Sequence, residues 1–238
     1  MEQTTINLEE IKEKLIKKFE GTGWDVKLRS FIKSDDFSKI INTLYNERED
    51  GKRFTPPLKY VFKAFEKCKL ENLKVVVIGQ DPYPHLNTAD GLAFSCSITG
   101  KPQPSLKHIF HAINETVYKD DREHNPDLER WAEQGVLLLN TALTCQVDKV
   151  GSHYDIWQDF ITYVIDMLSL TNSGIIFVFL GAKAQELESL ISDSHYVLKA
   201  SHPASAAYSG GKWNCNDVFN KINDILQKNN GESFKIKW

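Results

Sequence analysis

The chain has 238 residues, 41% hydrophobic and 26% charged, so it can bury a sizeable core without a disulfide or metal staple. A formal net charge of −3 argues against a protein that coats nucleic acid through bulk positive charge, though a local positive cleft remains open. The four cysteines (Cys68, Cys96, Cys145 and Cys215) lie far apart without C-x-x-C or zinc-site spacing; they read as reduced, buried thiols, which predicts a reducing compartment and no metal.

Residues 1–5 read as a loose end. Leu8, Ile11, Leu15 and Phe19 then recur at helical spacing, and Asn7 with Glu10 resembles a capping box. A second helix is expected over residues 37–47. Pro56-Pro57 opens a third, with Val61, Phe62 and Phe65 as its apolar face. Four short apolar runs come next: 73–78 (LKVVVI), 136–139 (VLLL), 174–180 (GIIFVFL) and 196–200 (YVLKA). The first three are nearly continuous, as in strands buried on both faces. Helical patterns separate them: one capped by Ser105, one over 156–168, a shorter one over 184–191, and a last one beginning at Asp217. Residues 120–127 (DDREHNPD) read as a polar loop. No apolar h-region opens the chain and no run is long enough to cross a bilayer, which predicts a cytoplasmic protein without a membrane partner.

Strand-helix alternation predicts an α/β fold with a parallel sheet covered on both faces, and the absence of repeats or linkers predicts one domain over 1–238. Ligands of such sheets bind beyond the carboxyl ends of the strands. Those places hold Gly79-Gln80-Asp81-Pro82-Tyr83-Pro84, Asn140-Thr141, Gly181 onward and Ser201-His202-Pro203. None carries G-x-G-x-x-G or a phosphate-loop lysine motif, which disfavours a nucleotide cofactor.

These segments resemble the family-1 uracil-DNA glycosylases. Residues 79–83 (GQDPY) are similar to that family's water-activating motif. Residues 91–95 (GLAFS) resemble its phenylalanine-bearing stretch, 101–106 (KPQPSL) its proline-rich loop, and 135–144 (GVLLLNTALT) its asparagine segment. Residues 181–185 (GAKAQ), 199–203 (KASHP), 54–57 (FTPP) and 236–238 (IKW) match as well. The likeness runs from about Trp24 to the C-terminus. It implies a single domain with a four-stranded, mostly parallel sheet between helices, and a cofactor-free enzyme that releases uracil from DNA as the first step of base excision repair.

The resemblance gives Asp81 the orientation or activation of water, and the stabilisation of the developing sugar cation. His202 would bond uracil O2 as the anion leaves. Asn140 offers one acceptor for N3–H and one donor for O4, a pattern that cytosine reverses. Phe94 would stack on the base, Tyr83 would crowd C5 and exclude the thymine methyl, and Gln80 would add base contacts. Flipping the base out of the helix requires a grip on phosphates; Ser105, Ser152, His153 and Ser205 sit in the matching loops, with Lys183, Lys199 and Lys212 as sources of local charge.

Two departures stand out. The family usually has histidine after the tyrosine of its first motif, where this chain has Pro84 and then His85. The family's His-Pro-Ser-Pro-Leu-Ser uses leucine as a wedge in the vacated base stack; here the run is His-Pro-Ala-Ser-Ala-Ala-Tyr, which puts Ala206 at the wedge. Either Tyr208 substitutes, since aromatics stack on bases, or duplex flipping weakens and single strands or mismatches are preferred, where unstacking costs less. The implied partners are uracil-containing single- and double-stranded DNA and a DNA-mimicking inhibitor, with a monomer as the default. Competing readings are a non-catalytic DNA-binding module on the same fold, and a G·T mismatch glycosylase, which Tyr83 and Asp81 disfavour.

Overall fold

Six strands form among the described residues: β1 (Phe54–Thr55), β2 (Val75–Gly79), β3 (Val136–Asn140), β4 (Cys145–Gln146), β5 (Ile176–Leu180) and β6 (Tyr196–Ala200). The computed structural model describes residues 7–171, 173–209 and 211–238, with Tyr208 given by its backbone alone; the loose end expected over 1–5 lies outside them. Four of the strands make a parallel sheet in the order β3-β2-β5-β6. β2, β3 and β5 are buried at every position, which explains their continuous Val, Leu, Ile and Phe runs: helices cover both faces, so no position faces water. β6 is the edge, and its YVLKA run is correspondingly mixed, with Tyr196 exposed.

The strand order places the site. From β2 the chain crosses to β3 on one side, then passes back over β2 to β5 and on to β6. Neighbouring β2 and β5 therefore send their connections in opposite directions, the kind of switch point that opens a crevice at the carboxyl edge. Gly79 pairs with Asn140 across β2 and β3, and Leu180 with Ala200 across β5 and β6. All four expected site segments thus leave the sheet along one edge.

The helices keep to the sequence pattern with instructive shifts. Leu8–Lys18 is helical, and the Asn7 side chain accepts from the Glu10 amide at 3.1 Å. The second long helix is Asp35–Glu49, capped by Ser34. The Pro56-Pro57 region yields a 3₁₀ turn, Leu58–Tyr60, and then the short helix Lys63–Lys67. Ser105 is not a cap: the helix Pro104–Ile113 starts two residues earlier than a Ser105 cap implies, because proline fills its first position and Gln103 precedes it. The paired strands β1 and β4 were not foreseen, since two-residue strands carry no readable alternation. All four cysteines are free and buried. No helix of the described residues is long and apolar enough to cross a membrane.

Candidate functional site

The segment after β2 is held by its neighbour before it reaches Asp81. Beyond Asn140 the backbone keeps reading β2: the Thr141 amide donates to the Gly79 carbonyl at 3.2 Å, the Ala142 amide to Gln80 O at 3.2 Å, and Thr141 Oγ1 to the same oxygen at 2.6 Å. Asp81 leaves this zipped corner half-buried. The Gly151 amide donates to its Oδ2 at 2.6 Å, and the residue lines the cleft described below. Burial raises the Asp81 pKa above the usual carboxylate value, and the Gly151 amide opposes that shift by favouring the ionised form.

Asn140, Phe94 and Gly79 meet at one point. A Cβ added to Gly79 would lie 2.5 Å from Asn140 Oδ1 and 3.0 Å from the Phe94 ring edge. Glycine is required there so that a carboxamide and an aromatic face can close over the end of the strand. Asn140 is buried, and among the described residues nothing hydrogen-bonds its carboxamide. A buried amide without internal partners is organised for a ligand. Phe94 adopts φ +66°, a costly backbone for a bulky residue and the kind of strain that clusters at functional sites. The Tyr83 hydroxyl donates to its carbonyl at 2.8 Å.

His202 faces Phe94 with ring centroids 5.7 Å apart. Its Nδ1 accepts from the Ala204 amide at 3.2 Å, so the ring proton sits on Nε2, which is left as a donor. Burial pushes its pKa down to about 4, so the ring is neutral at neutral pH. A Cβ on Gly181 (φ +99°) would lie 2.8 Å from Gln80 Nε2 and 2.9 Å from the His202 Cβ; the bare glycine lets the β2 and β6 ends approach each other.

One cleft of about 250 Å³ is lined by Gln80, Asp81, Tyr83, Phe94, Ser105, Asn140 and His202 together with Val61, Leu143 and Val150. Polar groups converge from three strand ends onto a mostly apolar slot that matches a small planar ligand.

The model of the Uracil DNA glycosylase superfamily matches residues 65–227. The chain belongs to the uracil-DNA glycosylase superfamily. Uracil-DNA glycosylase of Acinetobacter baumannii (strain SDF) is 37% identical over 233 residues, 97% of each chain. That of Yersinia pestis (strain Pestoides F) is 40% identical over 195 residues, 81% of this chain and 84% of its own. Among solved structures, mimivirus uracil-DNA glycosylase aligns with a TM-score of 0.82 at 25% identity, covering 94% of this chain and 87% of that one. Mimivirus UNG Y322L in complex with UGI aligns at 0.84 and 26% identity, covering 98% and 91%.

Within this uracil-DNA glycosylase fold, several expected DNA contacts need correction. His153 is fully buried, with Nδ1 2.7 Å from Thr144 Oγ1 and Nε2 2.9 Å from Glu47 Oε2, so its ring cannot meet a phosphate. Ala206 is also fully buried, because the 3₁₀ turn Pro203–Tyr208 rotates it into the core; it presents nothing to DNA, and Ala204 and Ala207 are the exposed members of the turn. The Tyr208 side chain lies outside the described residues. Ser205 Oγ donates to Ser201 Oγ at 3.0 Å, and Ser152 Oγ accepts from the Gln146 amide at 2.7 Å. Lys183, Lys199 and Lys212 each pair with a glutamate, Glu186, Glu188 and Glu115, which takes up the local charge expected of them. Sequence reasoning missed Gly151, Val150 and Leu143 at the site; nothing in their sequence context marks them, since they reach the cleft through tertiary folding, Gly151 and Val150 by way of the 146–153 loop.

Proposed function

We propose that the chain hydrolyses the N-glycosidic bond of deoxyuridine in DNA, releasing free uracil and leaving an abasic site, the first step of base excision repair. The observation that carries this reading is the cleft in which Asp81, Asn140, Phe94, Tyr83 and His202 stand together. The base enters against the Phe94 face. Asn140 matches N3–H and O4 with its free carboxamide, and Tyr83 closes the C5 side. As the C1′–N1 bond breaks, its electron pair passes to the uracil, and the Nε2–H of neutral His202 bonds the O2 where negative charge gathers. Asp81 Oδ1 orients water toward C1′, and its charge stabilises the cationic sugar. As the new C1′–O bond forms, Asp81 accepts the proton that the water gives up. The relatives named uracil-DNA glycosylase support the same reaction. One hydrophobic cluster runs from Leu15 to Trp238, which supports the chain working as one domain.

Uracil release from single-stranded and U·A duplex DNA, with thymine and cytosine substrates as controls, tests this directly. Free uracil should appear and neither control base should. A buried Ala206 leaves the vacated stack without a wedge from that position, so single strands should be cleaved faster than duplex; a strong preference for U·A duplex would count against this. A DNA-mimicking protein inhibitor that covers the cleft should block the enzyme, and the complex with UGI of the mimivirus variant supports trying that one first.

A further inference from the structure

Glu47 lies near the end of the helix Asp35–Glu49, on an element that supplies nothing to the cleft. Its carboxylate nevertheless anchors a directed chain of hydrogen bonds. The Trp157 indole donates to Thr144 Oγ1 at 2.7 Å. That hydroxyl then has its own proton to give to His153 Nδ1 at 2.7 Å. With Nδ1 accepting, the imidazole proton sits on Nε2 and goes to Glu47 Oε2 at 2.9 Å. The other carboxylate oxygen accepts from Gln146 Nε2 at 2.7 Å and from Lys52 at 3.3 Å. Burial lowers the His153 pKa and so favours the neutral ring; a neutral ring that donates Nε2–H to the Glu47 carboxylate accepts from Thr144 at Nδ1, which gives the chain one direction.

This chain closes both ends of the 146–153 loop. Gln146 is tied to Glu47 by its side chain and to Ser152 by its amide, and His153 closes the far end. Inside the loop the Asp148 amide donates to Pro84 O at 3.1 Å. Gly151, at φ +76° and against the Tyr154 ring, donates its amide to Asp81 Oδ2. His153, whose buried ring closes the loop, lies two residues downstream of that amide.

We infer that Glu47 and His153 are positioning residues for Asp81: through Thr144 and the 146–153 loop they hold the Gly151 amide on the carboxylate that directs water. The inference rests on the proposed hydrolysis and on Asp81's part in it. The other titratable groups around Asp81, among the described residues, are Cys145 on β4, Tyr154 on the helix Tyr154–Thr171 and His202 after β6. Burial pushes Cys145 to about 12 and raises Tyr154, so both are neutral throughout, while His202, lowered to about 4, protonates in the same acid window as Asp81. His202 is unaltered in every variant, so a difference in the acidic limb between variant and wild type reports on Asp81 and its amide donor.

The test measures kcat and KM against pH on uracil-containing single-stranded DNA, for the wild type, Glu47→Ala, Glu47→Gln and Thr144→Val. Losing the Gly151 amide withdraws stabilisation from the ionised carboxylate. Glu47→Ala should therefore lower kcat by on the order of ten- to a hundred-fold, leave KM within about twofold and move the acidic limb to higher pH. Glu47→Gln keeps an acceptor for His153 Nε2–H, its new NH2 is met by the oxygen of a turned Gln146 amide, and it should recover most of the rate and the original limb. Thr144→Val removes the hydroxyl while keeping its shape, and should shift the limb in the same direction as Glu47→Ala. If Glu47→Ala does not fold, Thr144→Val carries the comparison through its acidic limb and its Gly151 amide resonance, with Glu47→Gln as the variant that restores both. A folded Glu47→Ala or Thr144→Val with an unmoved acidic limb, or with kcat and KM altered together and the limb in place, overturns the inference, as does a Glu47→Gln that fails to restore the limb. A wild type that releases no uracil overturns the proposed function instead, and a wild type unaffected by Asp81→Asn overturns the role of Asp81.

Discussion

The hydroxyl of Tyr83 holds the carbonyl of Phe94 at 2.8 Å, across a bulky cleft residue whose backbone is left-handed. The tyrosine thus crowds the pocket with its ring and fixes the stacking phenylalanine with its oxygen. Tyr83→Phe separates these tasks. It should cost about 1 kcal/mol of stability by removing one buried bond, slow turnover and leave thymine excluded. Tyr83→Ala should also admit thymine, because the ring is gone. Denaturant midpoints and thymine release from unmodified DNA check this; thymine release by Tyr83→Phe would contradict the division.

Asp81→Asn should lower kcat by on the order of a hundredfold or more with little change in affinity for uracil-containing DNA. It should also stabilise the fold. Burial raises the carboxyl pKa above its usual 3.8, so this group favours folding most below that value, and its contribution is lost as the pH rises through the folded pKa. A neutral carboxamide escapes the loss and can still accept from Gly151. The variant should therefore gain on the order of 1 kcal/mol at neutral pH, with the gain shrinking as the pH falls toward 3.8. Urea titrations at several pH values measure it, and an equal gain at every pH would argue against buried charge as the cause.

His202 should show no titration near the ordinary histidine value of 6.5, because burial carries its pKa to about 4. The unfolded chain binds this proton between those two values and the folded chain does not, so stability should fall as the pH drops from 6.5 toward 4. Imidazole resonances monitored by NMR give the pKa directly. His202→Ala should remove the O2 donor and cost about 10²–10³ in kcat; retained turnover would exclude that contact.

Asn140→Asp replaces a donor-acceptor pair with acceptors alone. Uracil release should fall, and discrimination against cytosine, of order 10⁴–10⁵ for a polar-matched pocket, should collapse toward unity because a carboxylate can accept from the cytosine amine. Competing uracil and cytosine substrates in one reaction read the ratio. Full retention of uracil selectivity would show that the base is read elsewhere.

The sequence by itself determined the layers and the edge where chemistry gathers. Continuous apolar runs such as VVVIG and IFVFL form only when both faces are buried. The residues just past each strand are its neighbours in the chain, so Asp81, Asn140 and His202 were legible as strand-end residues. Tertiary structure alone decided which side chains share the cleft and which are spent inside. His153 and Ala206 read as surface loop residues and are core, because a turn's rotation depends on what it packs against. Glu47 and Gly151 gave no signal, since a backbone amide has no letter of its own and a carboxylate on a helix looks like any solvated charge until a buried imidazole closes on it. Local pattern fixes periodicity. The hydrogen bonds that orient Asp81 join residues 70 and 106 positions apart, and such meetings depend on crossover connections that no short window of sequence contains.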